Sequence, residues 1–316
     1  MLYSFIIPIY NRSEELRELL DSLTGLSLSG QEIEVLIVDD GSTEDLSSEV
    51  NAFESRLNLR YFKIANGGPA SARNYGMQHA QGDYFIFLDS DVLVPQDYLK
   101  VVSFSLKENL LDCFGGPDAA HKSFTTTQKA INYAMTSWIT TGGIRGKAAN
   151  SKTFQPRSFN MGISRAVYRG LGGFSEMRYG EDIDFSSRIR EAGYKVRLVP
   201  EAYVYHKRRT TFKAFFKQTF SFGTARPVLN KKFPETAKIT FWFPSLFILG
   251  WLGTVILDLG LGQFYFEYLY VFYFLLVFLF SSIANRSFKV GVLSVVAVGV
   301  QFWGYGLGFL KSYFKL

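Results

Sequence analysis

The chain has 316 residues, 47% of them hydrophobic and 20% charged, with 31 Phe, 18 Tyr and a net charge of +6. The single cysteine, Cys113, excludes an intrachain disulfide and any multi-cysteine metal site. The positive balance admits nucleic acid, anionic lipid or acidic small molecules as partners, so the position of the cations has to decide among them.

In chain order, MLYSFIIPIYNRSEEL has no basic n-region, and its apolar run stops at Pro8. That predicts no cleavable signal and a cytoplasmic first domain. SFIIPIY reads as a strand. SEELRELLDSL reads as a helix with Ser13 as N-cap and Leu16, Leu19, Leu20 and Leu23 on one face. EIEVLIVDD and LRYFKIA are further strands, SARNYGMQHA a helix, and GDYFIFLDSD a fourth strand. Alternation of strands and helices predicts an α/β domain with a mostly parallel sheet. In such sheets ligands bind outside the carboxyl ends of the strands. Asn11, Asp39, Asp40, Asp89 and Asp91 all follow strands and so fall on that edge.

Asp89 and Asp91 sit one residue apart at the end of an apolar strand. A buried, unpaired carboxylate costs several kcal/mol, so the pair calls for a cation, a hydrogen-bond network or water. Hard oxygen donors suit Mg²⁺ or Mn²⁺, which complete their shells with water and phosphate oxygens. A diphosphate is the natural partner.

Composition changes near residue 239. Three apolar segments follow, roughly 239–257, 264–284 and 290–310. Each is long enough to cross ~30 Å of hydrocarbon as a helix. The third is rich in Gly and small residues, which suits close helix packing. Before the first lie Lys207, Arg208, Arg209, Lys213, Lys217, Arg226, Lys231, Lys232 and Lys238. This asymmetry predicts an integral protein of the cell inner membrane, its first domain cytoplasmic and, with an odd number of spans, its C-terminal end outside. Lys311 and Lys315 run against that last point. Phe212, Phe215, Phe216 and Phe220 recur at helical spacing among the cations, which predicts a helix lying in the membrane interface; the other reading is an amphipathic helix packed on the domain. Lipid phosphates therefore account for the cations better than nucleic acid. The predicted organisation is a catalytic domain over 1–206, a basic amphipathic segment over 207–238 and a membrane domain over 239–316.

Four stretches in order, IPIYN (7–11), VDDGS (38–42), GGPASARNYGMQHAQGDYFIFLDSD (67–91) and GEDIDFSSRIREAG (180–193), resemble glycosyltransferase family 2, inverting enzymes of GT-A fold that use nucleotide sugars. The resemblance covers roughly residues 1–210. With the basic segment and the spans, the chain is similar to membrane-anchored members that build exopolysaccharide, capsule or lipid-linked glycans. The resemblance implies a hexosyl-type transferase using Mn²⁺ or Mg²⁺ and a nucleotide sugar, with UDP the default nucleotide. Pro8 and Tyr10 would border the base, with Arg73 beside it. Asp40, together with Asp39, would hold base or ribose. Asp89 would contact ribose or sugar, and Asp91 and His206 would bind the metal. Asp182 would be the catalytic base, and Glu181 beside it should raise the proton affinity of the pair. Asn160 would line a sugar pocket. Gln218 and Arg226 would close over the diphosphate, although QTFSFGTARP departs from the QxxRW of processive synthases and argues for single-sugar transfer.

Blander readings stand beside these. Asp182 and Asp184 could be acids favoured at a helix start. Asp39-Asp40-Gly41 and Asn160 could be turns, and His206 could be a hydrogen-bonded surface residue. The implied function is transfer to a hydroxyl of a polyprenyl-diphosphate-linked glycan. The alternative is a polyprenyl-phosphate acceptor, which is already ionised and needs no base. A nucleotidyltransferase would require a Gly-rich, Lys-bearing loop where IPIYNRSEE stands, and an inactive scaffold would tolerate loss of DSD and GED, both of which are intact.

Overall fold

A computed structural model of the chain describes residues 1–121, 123–142, 154–177, 179–262 and 266–315. Positions 264 and 265, where the second predicted span begins, lie outside the described residues. In chain order the elements are β1 (Leu2–Ile9), α1 (Ser13–Thr24), β2 (Glu32–Asp39), α2 (Ser47–Asn51), β3 (Leu59–Lys63), α3 (Pro69–His79), β4 (Tyr84–Leu88), β5 (Val92–Leu93), α4 (Tyr98–Asn109), β6 (Cys113–Gly115), β7 (Asp118–Ala119), α5 (Thr126–Thr136) and α6 (Trp138–Thr141). Then come β8 (Asn160–Ser164), α7 (Arg165–Leu171), α8 (Glu181–Glu191), β9 (Val196–Leu198), β10 (Val204–His206), α9 (Phe212–Lys232), α10 (Phe243–Leu261), α11 (Glu267–Asn285) and α12 (Phe288–Tyr313).

The chain divides into two units, 1–119 with 149–206, and 120–148 with 207–316. Among the described residues, α5 and α6 group with the second of these units.

The first unit is built on a seven-stranded sheet in the order β3-β2-β1-β4-β8-β6-β9. β3, β2, β1 and β4 are parallel, and β8 runs antiparallel to both neighbours. Side chains alternate across β1 with period two. Tyr3, Phe5, Ile7 and Ile9 enter a core with Leu16, Leu19, Leu20 and Leu23 of α1 and with α4. Ile6 enters the opposite core with Met77 of α3 and with Phe185 and Ile189 of α8. Both faces are covered, so the central strands read as continuous apolar runs. Parallel pairing brings Ile9, Asp39 and Leu88, the last residues of β1, β2 and β4, to one edge. α1 begins at Ser13 itself, with Arg12 at the cap position and no side-chain cap, unlike the predicted Ser13 cap.

A second, three-stranded sheet, β5-β10-β7, lies in the same unit. β10 pairs antiparallel with β5, His206 opposite Val92 and Tyr205 opposite Leu93.

The second unit is helical. Its core joins Ile131 and Ala134 of α5, Phe215 of α9, Val277 of α11, and Ala297, Val298 and Phe302 of α12. α9 and α12 meet through small residues: a Cβ on Gly308 would collide with the Phe220 carbonyl, and one on Gly223 with the Tyr305 carbonyl. Phe215, one of the four phenylalanines predicted to face acyl chains, is fully buried in this protein core instead. Among the described residues, three helices are long and apolar enough to cross a membrane: Ile239–Gly260, Glu267–Asn285 and Phe288–Tyr313.

Candidate active site

Asp39 closes β2 with no exposed surface. It accepts from Ser42 N–H at 2.7 Å and Tyr61 O–H at 2.7 Å. Asp40 accepts from the amides of Gly67 at 2.7 Å and Gly68 at 2.9 Å. The VDDGS turn and the GGP turn are thus fastened to each other. Gly41 has φ of +77°, and a Cβ there would lie 2.9 Å from Asn66 N, so both backbone conformation and space require glycine. Tyr10 is 47% exposed at the end of β1, and Pro8 is buried within it.

Asp89 and Asp91 follow β4, and each is met by a guanidinium. Arg73 of α3 donates from Nη2 to Asp89 Oδ1 at 2.6 Å and from Nη1 to Glu181 Oε1 at 3.0 Å. Arg73 is 2% exposed. It is therefore a buried tie between the end of β4 and the start of α8. Arg12 donates from Nη1 to Asp91 Oδ2 at 2.7 Å. On the other oxygen of Asp91, His206 Nε2 lies 3.2 Å from Oδ1. The imidazole stacks on Phe159 with centroids 4.8 Å apart, and its Nδ1 is buried without a hydrogen-bond partner among the described residues.

Asp89, Asp91 and His206 each offer one donor atom, and the three atoms lie within 4.8 Å of one another. Octahedral ligands at ~2.1 Å from Mg²⁺ are about 3 Å apart when adjacent and about 4.2 Å when opposite. The Asp91–His206 distance of 3.2 Å fits an adjacent pair, and two carboxylates with one imidazole suit Mn²⁺ or Mg²⁺.

GED opens α8. Gly180, with φ of +83°, turns the chain into the helix. Glu181 is 8% exposed, and its carboxyl is pushed up to about 7 by burial and by the Asp182 charge, against the pull of Arg73. The raised proton affinity expected of the pair is thus found on Glu181. Asp182 Oδ1 accepts from Ile183 N–H at 2.8 Å, and its Oδ2 lies 3.6 Å from Arg157 Nη1. Asp184 is fully buried and bound to Arg188 Nε at 2.9 Å. Arg188 in turn donates to the carbonyls of Leu171 and Gly173, so Asp184 is a packing residue.

Other expected positions are engaged elsewhere in their own units. Asn160 has no exposed surface; it accepts from Tyr98 O–H at 2.6 Å and donates to the Ala202 carbonyl at 2.8 Å. Both ends of its amide are engaged within the fold. Arg226, in the second unit, is 6% exposed with its guanidinium 4.0 Å from the Phe241 ring centroid, a cation–π contact. Gln218 is half-buried on α9. Arg12 and Arg157 were missed from sequence. The signal for Arg12 was its place one residue after Asn11, on the same strand-end edge as the acids. For Arg157, three residues before β8, the sequence carries no comparable signal.

The family model for glycosyl transferase family 2 matches residues 4–172. An uncharacterized glycosyltransferase of Haemophilus influenzae is 37% identical over 141 residues, 42% of this chain and 55% of that protein. Among solved structures, the mannosyltransferase PcManGT from Pyrobaculum calidifontis in complex with GDP-Man and Mn²⁺ superposes with a TM-score of 0.66 at 16% identity, covering 96% of this chain and 86% of that one. S. aureus TarS 1-349 in complex with UDP-GlcNAc does so with a TM-score of 0.52 at 19% identity, covering 100% and 92%. The chain belongs to glycosyl transferase family 2, and its first unit has the GT-A fold. It spans about half or less of the length of the curated relatives it matches.

Proposed function

We propose that the chain transfers a single sugar, with inversion, from a nucleotide diphosphate sugar to a hydroxyl of a lipid-linked acceptor. The acceptor class is a glycan on polyprenyl diphosphate, met at the cytoplasmic membrane face. The observation that carries this reading is the Asp89–Asp91–His206 cluster at the carboxyl edge of a GT-A sheet, joined through Arg73 to the start of α8.

Charge supports a diphosphate donor. Arg12 and Arg73 already balance Asp91 and Asp89. A divalent cation held by Asp89, Asp91 and His206 leaves that edge positive, which a diphosphate offsets. When bound, the metal neutralises charge developing on the departing diphosphate. Arg12 stands beside the same carboxylate and is a donor for phosphate oxygens. Tyr10 offers an exposed ring for the base. The Asp40 oxygens each keep a second lone pair beyond the Gly67 and Gly68 amides, so they can also accept from base or ribose. Relatives in the fold were solved with UDP-GlcNAc and with GDP-Man and Mn²⁺, which supports this ligand class.

Inversion is a direct displacement at the anomeric carbon. The attacking hydroxyl needs a positioned base, and Asp182, partly exposed on the first turn of α8, takes that proton. Arg73 and Glu181 position this turn relative to Asp89. The apolar helices hold the chain beside a lipid acceptor.

One observation favours a second reading. Arg157, 3.6 Å from Asp182, could hold an anionic acceptor such as a polyprenyl phosphate. The test of the donor claim is titration of the purified full chain with UDP and GDP, with and without Mn²⁺. Metal-dependent binding that is lost in Asp91→Asn supports it; absence of binding by either nucleotide under both conditions refutes it.

A further inference from the structure

α5 and α6 lie inside the stretch that the family model matches, yet they group with the helical second unit. Residues 123–142 hold one charged side chain, Lys129. Ala130, Ile131, Ala134 and Met135 of α5 are buried in the core formed with α9, α11 and α12. The polar side chains of α5 are engaged inside the same unit. Gln128 Nε2 donates to the Arg208 carbonyl at 3.0 Å, and Asn132 Oδ1 accepts from Arg208 Nη2 at 3.1 Å.

The corner between α5 and α6 is closed in the same way. The Ser137 amide donates to the Tyr133 carbonyl and the Gly142 amide to the Trp138 carbonyl. Thr140 Oγ1 donates to the Ala134 carbonyl at 2.7 Å, and Thr141 Oγ1 to the Ser137 carbonyl at 2.8 Å. The Ile139 carbonyl accepts from the Tyr273 hydroxyl of α11 at 3.0 Å. The carbonyls of residues 133, 134, 137, 138 and 139 therefore all receive donors from the protein. Water would supply such donors to a surface corner; lipid supplies none, so a corner in lipid has to satisfy its own backbone. Out of this closed backbone projects Trp138, 75% exposed.

The partners of the corner give its level. Tyr273 belongs to the second candidate span, and its ring lies 5.5 Å from that of Phe247 in the first. Around these two rings the helices expose Leu246 and Leu249 on α10, and Phe272 and Leu275 on α11. A Cβ on Gly142 would lie 3.5 Å from Thr240, whose neighbour Ile239 is 85% exposed and opens the first candidate span. The corner thus sits where both helices present apolar surface outward.

We infer that the α5–α6 corner is immersed in the bilayer, with Trp138 against the acyl chains just beneath the headgroups, where tryptophan is favoured. The partner of this surface is lipid, because the exposed ring is continuous with the exposed apolar surface of the two candidate spans. A segment within the family-matched sequence therefore holds the membrane, in addition to the apolar helices after residue 239.

The inference rests on the membrane part of the proposed function and not on its chemistry. The test uses the full chain in phosphatidylcholine vesicles, as wild type and as Trp138→Phe. The fluorescence that the substitution removes is that of Trp138. Brominated acyl chains quench tryptophans that touch lipid, and iodide quenches those in water. The component removed by the substitution should be quenched by brominated chains and spared by iodide. A variant that keeps Trp138 alone, with Phe at positions 242, 251 and 303, should behave in the same way. Quenching of Trp138 by iodide and not by brominated chains puts the ring in water and overturns the inference. Protection from both quenchers means that protein, such as a second copy of the chain, covers the ring, and overturns it as well. Trp242, Trp251 and Trp303 remain in Trp138→Phe and report on the apolar helices and the approach to them. If brominated chains leave these three unquenched too, the membrane reading itself fails, whatever the outcome for sugar transfer.

Discussion

Val92 and His206 are partners across an antiparallel rung. That rung carries His206 Nε2 to 3.2 Å from the carboxylate of Asp91, the residue just before Val92. Two strands of two and three residues, 111 positions apart in sequence, therefore build the third corner of the candidate metal site. If the cluster holds a divalent cation, Asp91→Asn and His206→Ala each raise the Mn²⁺ concentration for half-maximal activity by at least about tenfold. Metal titration of donor turnover checks this, and an unchanged midpoint in both variants contradicts it.

Asp182→Asn removes the proposed base while keeping the size of the side chain. Transfer to a hydroxyl acceptor should fall by about 10²–10⁴-fold, with nucleotide affinity unchanged. Initial rates and nucleotide titration on the same preparation separate the two effects. A variant that keeps near wild-type transfer points to the phosphate acceptor.

Glu181 gives a pH signature. Its carboxyl is pushed up to about 7, above the unfolded value of about 4.5, so between those limits the folded chain holds the extra proton. The stability contributed by this group is fully present below about 4.5 and is lost as pH rises to about 7. In Glu181→Gln that loss is absent. The Tm of the variant relative to wild type should therefore rise with pH through this window, as thermal unfolding in detergent will show. A difference that does not vary with pH argues against the buried, raised carboxyl.

Gly308→Val tests the contact between α9 and α12. The new side chain must displace the Phe220 carbonyl of a neighbouring helix. Overpacking of this kind costs about 1–3 kcal/mol, so the Tm should drop while the Mn²⁺ dependence of nucleotide binding stays as in wild type. A fully tolerated valine means that the two helices are not in contact.

Much of the first unit was legible because its signals are local. Continuous apolar runs ending in Asn, Asp or Asp-Ser-Asp mark parallel strands and their carboxyl edge, and Leu16, Leu19, Leu20 and Leu23 mark a helix face. Asp89 and Asp91 could be singled out for the same reason. What stayed hidden depends on side chains meeting across the fold. The spacing of Arg73 does not reveal that it is buried between Asp89 and Glu181, and nothing near Asn160 announces Tyr98 and Ala202 as its partners. From sequence, α5 reads as part of the first unit; its packing on α12 shows only in the fold. Length and hydropathy identify α12 as a candidate span, but they do not register that two other helices cover its face.

The most direct measurement uses membranes containing the full chain, a panel of labelled nucleotide sugars, acceptor lipids, and Mn²⁺ or a chelator. The account predicts that one donor places label in extractable lipid, that a chelator abolishes the labelling, and that it is lost in Asp182→Asn. No lipid label from any donor, with acceptor lipids supplied, contradicts the lipid-linked transfer at the centre of the account.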